Sequence, residues 1–291
     1  MRICRFNSNR LGIVEGDQVL DVSAALEVIP AQRYPLPTHD LMIAHFDAVL
    51  ARAKALAGSA QRLKLAAVKL ESPVANPGKI INAPVNYQAH IEEAKVDRVL
   101  AQGTAGRKTT FIGDWGLFLK ANSALVGCGS EMQLRMPDRR SDHEVELAVI
   151  IGKTASFVRR EDALGCIAGY AIGLDMSVRG PEDRSFRKSL DTYAVLGPWL
   201  VTPDEIADPN NLELSITVNG EPRQRSNTSR MVFDVQKLIV YASAWYTLHP
   251  GDIILTGTPE GVGPVVPGDL MHAEIEGIGA FDMRVAAAYM T

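Results

Sequence analysis

Two glutamates separated by a single residue begin the stretch of sequence with the clearest chemical potential. Glu144 and Glu146 open an apolar run that ends at Gly152. On a β-strand, residues two apart share a face, so both carboxylates would point one way while Val145 and Leu147 face the opposite, buried side. Two like charges beside an apolar strand are unfavourable unless water or a cation compensates them. The pattern therefore indicates either a solvent-facing strand edge or one side of a cation site.

A third carboxylate, Asp175, ends another apolar run, which begins at Gly169 and is followed closely by a basic residue, Arg179. Carboxylate oxygens without cysteine or a nearby pair of histidines suit hard cations rather than zinc. If Glu144, Glu146 and Asp175 bind a cation, we therefore expect magnesium, manganese or calcium, and the solvent-facing alternative stays open at this point.

Composition and charge exclude several other classes of function. The 291-residue chain is 46% hydrophobic, which is enough for one sizeable core and a smaller domain. Its net charge is -4 and it has no long Lys/Arg run, so we expect neither nucleic acid nor a membrane as a partner. The N-terminus lacks a signal-peptide core, and the three widely spaced cysteines suggest neither disulfides nor zinc. These features favour a cytoplasmic protein.

The elements that would position the carboxylates are mostly short strands. A small β-meander is predicted over residues 1–22 and two helical stretches over 38–69, after which prolines and glycines place a domain boundary near residue 75. We therefore expect an α+β protein, mainly β with helices at its margin. Residues 1–75 would form a small N-terminal α/β domain, and residues 76–291 a larger, β-rich domain.

Within the second domain, one segment differs from the predicted strands and helices around it. Residues 103–110 are rich in Gly, Thr and Lys and show no core pattern, so we expect a mobile lid over about residues 88–115. Strands are predicted at 79–82, 145–152, 169–175, 212–219 and 252–256, and helices at 88–101, 160–166 and 234–243.

Several further blocks accompany the carboxylates in a fixed order. They cover roughly residues 79–285, and together they resemble the fumarylacetoacetate hydrolase family, in particular its acylpyruvase-like members. The blocks are Asn86-Tyr87-x-x-His90-x-x-Glu93, Phe118-Leu119-Lys120, Glu144-x-Glu146, Asp175-x-Ser177-x-Arg179, Lys188-x-x-Asp191-Thr192, and the Gly-rich run from Pro250 to Gly263.

The resemblance implies a role for each matched residue. It makes the three carboxylates the ligands of Mg²⁺ or Mn²⁺, and it makes His90 and Glu93 a catalytic dyad. At i, i+3 these two share a helical face, so the carboxylate can orient the imidazole as a proton acceptor. Lys188 would hold a substrate carboxylate or a developing oxyanion. Without the family, His90 and Glu93 read as a solvated helix start and Lys188 as a surface cation.

The remaining candidate site residues are those expected to contact the substrate. Arg179 and Thr258 match positions that contact the oxo-acid end of the substrate, and Lys120 is a further candidate for substrate binding. Read alone, Thr258 is equally a turn-forming hydroxyl. The chain departs from the family pattern at Leu174, at Gly180 and at Glu182, where an amide is usual. Glu182 would place a negative charge against the substrate acid, so we expect an altered pocket.

The resemblance implies a mixed β-sandwich roll, a homodimer and metal-dependent hydrolysis of a carbon–carbon bond in an acylpyruvate, a 2,4-dioxo acid. The metal would act as a Lewis acid on the 2-oxo acid. His90 would deprotonate the attacking water while Lys188 stabilises the oxyanion. Two alternatives stay open at this point. One is decarboxylation or tautomerisation of an oxaloacetate-like acid, and the other is a catalytically weak ligand-binding protein.

Overall fold

The computed structural model describes residues 1–96 and 112–287 of the chain. The predicted lid sequence at 103–110 and the end of the predicted helix at 97–101 lie outside the described residues. The first ten strands are β1 Arg2–Phe6, β2 Arg10–Glu15, β3 Gln18–Asp21, β4 Gln61–Lys64, β5 Leu70–Glu71, β6 Ile80–Asn82, β7 Phe118–Lys120, β8 Leu125–Gly127, β9 Met132–Leu134 and β10 Ser141–His143. The next ten are β11 Val145–Ile151, β12 Ile167–Asp175, β13 Ser177–Val178, β14 Ala194–Val201, β15 Glu213–Val218, β16 Glu221–Asn227, β17 Ile253–Leu255, β18 Gly263–Val265, β19 Leu270–Ile275 and β20 Gly279–Ala287.

Helices in the described ranges are few and short. The α-helices are α1 Leu41–Ala44, α2 Phe46–Ala57, α3 Gln88–Val96, α4 Ile112–Trp115, α5 Arg184–Arg187 and α6 Val235–Trp245. The 3₁₀ turns are Ser23–Val28, Leu65–Ala67, Asn122–Ala124, Arg160–Cys166, Pro203–Glu205 and Thr228–Arg230. The predicted α+β class is confirmed. The predicted helix at 160–166 is a 3₁₀ helix, and β4 lies in a range for which only helices were predicted.

A large mixed sheet organises the molecule. Twelve of the described strands form it, in the order β4-β3-β2-β1-β14-β12-β11-β17-β6-β7, with β5 beside β1 and β8 beside β14. A second sheet has the order β16-β15-β19-β20-β9, and a small third sheet has the order β13-β10-β18. The glutamate strand β11 is therefore central, with β12 on one side and β17 on the other.

The central strand β11 is buried on both faces, because each face packs against a different layer. Val145, Leu147 and Val149 belong to a core shared with the second sheet, which contributes residues such as Ile216. The alternate residues, Ala148 and Ile150, pack with the residues of helices α1 and α2. The predicted alternation is thus present, and the face that carries Glu146 is also buried.

The first 75 residues do not form a separate sheet. Strand β1 pairs antiparallel with β14, with Arg2 opposite Val201 and Ile3 opposite Leu200, so the N-terminal meander extends the central sheet. The domain boundary near residue 75 stays a prediction. In the described ranges, no helix has both the length and the apolar character needed to cross a membrane.

Candidate active site

Three buried carboxylates meet where β11 begins and β12 ends. The two strands run antiparallel, with Val145 opposite Leu174, so the start of one lies beside the end of the other. The main-chain N–H of Asp175 donates to the carbonyl of Glu144 at 2.9 Å, which fixes the two residues together. One oxygen from each of Glu144, Glu146 and Asp175 lies within 4.8 Å of the others. The structure thus brings together the trio that the sequence predicted.

Glu146 has the least compensated charge of the three. Burial raises the pKa of its carboxyl well above the usual range, and the neighbouring charges of Asp175 and Glu144 raise it further. Among the described residues it forms no ion pair, and its Oε2 accepts one hydrogen bond, at 2.6 Å from Gly257 N. An all-oxygen donor set with uncompensated negative charge fits a hard divalent cation. These three residues could hold such an ion.

Glu144 is compensated by two basic side chains. Lys188 Nζ donates to Glu144 Oε2 at 2.8 Å and to Asp175 Oδ2 at 2.6 Å. Arg179 donates through Nη2 to Glu144 Oε1 and through Nε to Asp142 Oδ2, both at 2.7 Å. Burial alone would raise the pKa of Glu144, but Lys188 and Arg179 outweigh it and hold that pKa well below its usual range. Asp142, which anchors Arg179, was not found from the sequence.

Lys120 supports Asp175 from inside the protein. Its ammonium hydrogen-bonds Asp175 Oδ1 and donates to the carbonyl of Tyr193 at 2.8 Å. The residue is 3% exposed and is not among those lining the cavity. Burial lowers the pKa of Lys120, and the adjacent Asp175 opposes that shift and so supports the charged form. This placement does not support the predicted substrate contact and makes Lys120 a partner of a candidate metal ligand.

The predicted dyad lies on helix α3. His90 Nδ1 is 2.9 Å from Glu93 Oε2, and Glu93 Oε1 accepts from Gly261 N at 2.9 Å. Gly261 has φ +91, and a Cβ there would lie 2.0 Å from the carbonyl of Arg223, so only glycine fits this position. Because both carboxylate oxygens of Glu93 are engaged, the imidazole is held in one orientation, and Nε2 is the nitrogen left for the cavity that His90 lines.

One asparagine ties this helix to the metal-ligand strands. Asn86, just before α3, donates from Nδ2 to the carbonyls of Thr256 and Phe233 at 2.7 and 2.9 Å. Gly257 follows Thr256 with φ +97, and a Cβ there would lie 2.6 Å from Asn86 Cβ. The close approach lets Gly257 N reach Glu146, as described above. The dyad and the carboxylates are therefore fixed relative to each other by main-chain contacts.

Thr258 is held by buried partners. Its hydroxyl donates to the carbonyl of Val145 at 2.9 Å and accepts from Gln224 Nε2 at 2.8 Å. Gln224 Oε1 accepts from Val145 N at 3.1 Å and hydrogen-bonds His143 Nδ1 at 3.2 Å, and burial lowers the pKa of this histidine. Gln224 therefore holds the start of β11 in place through these hydrogen bonds. It was missed because a glutamine in a hairpin strand carries no sequence signal for such a role.

The cavity beside the trio combines basic, acidic and aromatic walls. Its empty space, which is open to solvent at the mouth, measures about 560 Å³. Eight of the fifteen described residues that line it were not among the predicted site residues, and they include Trp115, Arg184 and Arg187. The residues lining it are Ala83, Pro84, Val85, His90, Ala94, Trp115, Phe118, Glu144, Glu146, Asp175, Arg179, Arg184, Arg187, Lys188 and Thr258.

Glu182 does not line this cavity. Its carboxylate forms a bidentate pair with Arg139, with contacts of 2.8 and 2.7 Å. The hydrogen bonds from Arg139 lower the pKa of Glu182, so the carboxylate is charged and its charge is neutralised locally. The geometry does not support the predicted contact of Glu182 with the substrate. The sequence pattern could not predict this pairing, because Arg139 lies 43 residues earlier in the sequence.

Replacing Lys120 by methionine tests its role at Asp175. The substitution keeps a long unbranched side chain but removes one cation from a buried carboxylate, so the free energy of unfolding should fall by about 3 kcal/mol. Urea unfolding of wild type and Lys120→Met, both in EDTA, measures the difference.

The matched control for this substitution is Lys95→Met. Lys95 pairs with Glu92 on the solvent-exposed side of α3, so its loss should change stability much less. A Lys120→Met protein as stable as wild type would show that Asp175 does not depend on Lys120.

Comparison with known proteins agrees with this geometry. Residues 79–286 match the family model described as fumarylacetoacetate (FAA) hydrolase, C-terminal. The chain is 58% identical to a maleylpyruvate hydrolase of Aquipseudomonas alcaligenes over 285 residues, which covers 98% of this chain and 99% of that protein. It is also 38% identical to the mitochondrial oxaloacetate tautomerase Fahd2a of Rattus norvegicus, over 80% of this chain and 74% of that protein.

A solved structure shows the same fold. The crystal structure of maleylpyruvate hydrolase from Sphingobium sp. SYK-6, in complex with manganese(II) and pyruvate, superposes with a TM-score of 0.83 at 41% identity. The match covers 99% of this chain and 100% of that chain. With a family model that spans most of its length and relatives this similar, the chain belongs to the fumarylacetoacetate hydrolase family.

Proposed function

We propose that this protein is a divalent-metal-dependent hydrolase that cleaves a carbon–carbon bond of an acylpyruvate, with maleylpyruvate as the model substrate. The observation that carries the proposal is the convergence of three buried carboxylates with the His90–Glu93 pair and Lys188 in one cavity. The names of the relatives that share almost the full length of the chain support the same reaction.

The metal ligands in this proposal are Glu144, Glu146 and Asp175. Their oxygens suit Mg²⁺ or Mn²⁺, with Ca²⁺ as an alternative, and the uncompensated charge of Glu146 supports a bound cation. When bound, the ion would supply Lewis acidity toward the 2-oxo acid end of the substrate.

His90 is the proposed proton acceptor. Its Nδ1 is paired with Glu93, so Nε2 can take a proton from a water molecule in the cavity. The second oxygen of Glu93 is held by Gly261 N, which keeps the imidazole from rotating as it gains charge. The resulting hydroxide attacks the carbonyl carbon at position 4 of the dioxo acid.

Lys188 is the proposed stabiliser of the oxygen that gains negative charge in this attack. Two of its N–H groups bind Glu144 and Asp175, and the third has no hydrogen-bond partner among the described residues, so it can reach a substrate oxygen in the cavity that Lys188 lines. The bond between carbons 3 and 4 then breaks, and its electron pair leaves with the pyruvate fragment as an enolate. Protonation of that enolate gives pyruvate, and the acyl fragment leaves as a carboxylic acid.

Arg179 and Thr258 are proposed to shape the oxo-acid end of the cavity. Arg179 is held by Asp142 and Glu144, so its guanidinium has a fixed place in the wall. The Thr258 hydroxyl already donates to a main-chain carbonyl and can therefore only accept from a substrate. Lys120 and Glu182 are left out of the substrate contacts because neither lines the cavity.

A spectrophotometric panel with and without EDTA separates hydrolysis from its rivals. We expect turnover of maleylpyruvate and acetylpyruvate, its loss in EDTA, and its recovery with Mg²⁺ or Mn²⁺. Turnover of oxaloacetate alone would favour the tautomerase reaction of the 38% identical relative. Turnover that survives complete metal removal would contradict the metal-dependent mechanism.

The dyad is tested by His90→Ala. Because loss of a general base typically costs about 10²- to 10⁴-fold, kcat on maleylpyruvate should fall by that factor while Mn²⁺ binding persists. His272→Ala is the matched control, since His272 is exposed and pairs with Asp282 away from the cavity. Unchanged kcat in His90→Ala would remove His90 from the mechanism.

We also propose that the protein acts as a homodimer in the cytoplasm, as the family resemblance implies. The three cysteines are unpaired, and burial raises the pKa of Cys4 and Cys128 to about 12, so these thiols suit a reducing compartment.

Light scattering at the size-exclusion peak should give twice the chain mass of 31.6 kDa, and a peak at the mass of one chain would contradict the dimer.

A further inference from the structure

Helix α5 presents two arginines to the cavity that do not belong to the proposed reaction. Arg184 and Arg187 are three residues apart, so they lie on the same face of this single turn, and both line the cavity. Asp183 caps the turn by accepting from Ser185 N at 2.8 Å, which fixes where the turn begins. The position of the two guanidinium groups is therefore set by local structure.

Arg187 is a buried cation that no carboxylate of the described residues contacts directly. The residue is 3% exposed. It donates from Nε to the carbonyl of Glu182 at 2.8 Å and from Nη1 to the carbonyl of Val178 at 3.3 Å. These acceptors are neutral, and in the described part of the chain Arg187 forms no ion pair. A buried charge of this kind is costly unless an anion compensates it.

The other cations of the cavity differ from Arg187. Lys188 and Arg179 are neutralised by the carboxylates that they contact, as described above. Burial and the nearby charge of Arg179 lower the pKa of Arg187 by more than the charges of Glu144, Glu182 and Asp183 raise it. Arg184 extends the basic wall outward, with its guanidinium 4.2 Å from the centre of the Trp115 ring.

We propose that Arg187, with Arg184 beside it, binds a second carboxylate of the substrate, the one at the end of the acyl group. The inference rests on the proposed function, which already assigns the trio and Arg179 to the oxo-acid end and Lys188 to the oxygen on carbon 4. A separate buried cation in the same cavity, hydrogen-bonded only to main-chain carbonyls among the described residues, then calls for a second anion. The preferred substrates are therefore acylpyruvates whose acyl chain ends in a carboxylate, and Arg187 is the residue that selects them.

A comparison of two substrates, one with and one without a carboxylate at the end of the acyl group, tests this selection. Arg187→Gln keeps an N–H donor near the position of Nε, where it can reach the carbonyl of Glu182, but has no charge. Its ratio of kcat/KM for maleylpyruvate to that for acetylpyruvate should fall about a hundredfold, mostly through KM for maleylpyruvate. Arg187→Lys restores the charge and should recover much of the ratio. Arg62→Gln, at an exposed pair with Glu15, is the matched control and should change the ratio by less than about twofold.

Two results would overturn the assignment of Arg187. If Arg187→Gln lowers both substrates equally, the residue serves the oxo-acid end or the fold. If Arg187→Lys is as poor as Arg187→Gln while thermal unfolding shows that both variants are folded, a restored charge does not restore the selection, and the proposed role of that charge is wrong.

A binding measurement keeps this proposal separate from the proposed reaction. Calorimetric titration of the Mn²⁺-loaded protein with 2-oxoheptanedioate and with 2-oxoheptanoate compares a diacid and a monoacid of equal chain length that cannot undergo the cleavage. The diacid should bind at least about tenfold more tightly to wild type, and this preference should vanish in Arg187→Gln. Equal binding of the two acids by wild type would refute the second carboxylate site even if maleylpyruvate is hydrolysed. A protein that hydrolyses neither acylpyruvate but retains the diacid preference would refute only the proposed reaction.

Discussion

The repulsion among three buried carboxylates is the constraint on which the rest of this site depends. Three basic side chains contact the carboxylates and reduce this repulsion. Lys188 bridges two of the carboxylates, and Lys120 and Arg179 each neutralise one. Glu146 is left with one main-chain N–H and its two charged neighbours. This imbalance, inside a sheet that is buried on both faces, is compensated most simply by a divalent cation.

The same constraint explains how the fold and the chemistry are connected. Antiparallel pairing of β11 with β12 brings the two ends that carry the carboxylates together, and the turn after β17 brings the N–H of Gly257 to Glu146. Asn86 then fixes helix α3, with its histidine, to that turn. The proton acceptor is thereby positioned relative to the carboxylates by the backbone, which suits a reaction that depends on alignment.

The parts of the site that could be predicted are those with a periodic or local signal. The alternation around Glu144 and Glu146 predicted that they share a face, and the family resemblance, together with the i, i+3 spacing, predicted the contact of His90 with Glu93. Partners that are distant in sequence could not be found in this way. Arg139 neutralises Glu182, Gln224 clamps β11, and Lys120 lies behind Asp175, so the expected substrate contacts of Glu182 and Lys120 are not supported. Arg187 was missed because one more arginine in a basic stretch carries no signal of burial.

Titration of Mn²⁺ into the metal-free protein, compared with Glu146→Gln, is the most direct test of the carboxylate trio. Wild type should bind one ion per chain, and the isosteric variant should bind at least about a hundredfold more weakly, since it loses a ligand rather than an outer contact. Glu182→Gln, a charge loss at a carboxylate outside the cavity, should bind as wild type does. Equal affinity of Glu146→Gln and wild type, or no binding by wild type, would contradict the assignment of Glu144, Glu146 and Asp175 as a metal centre.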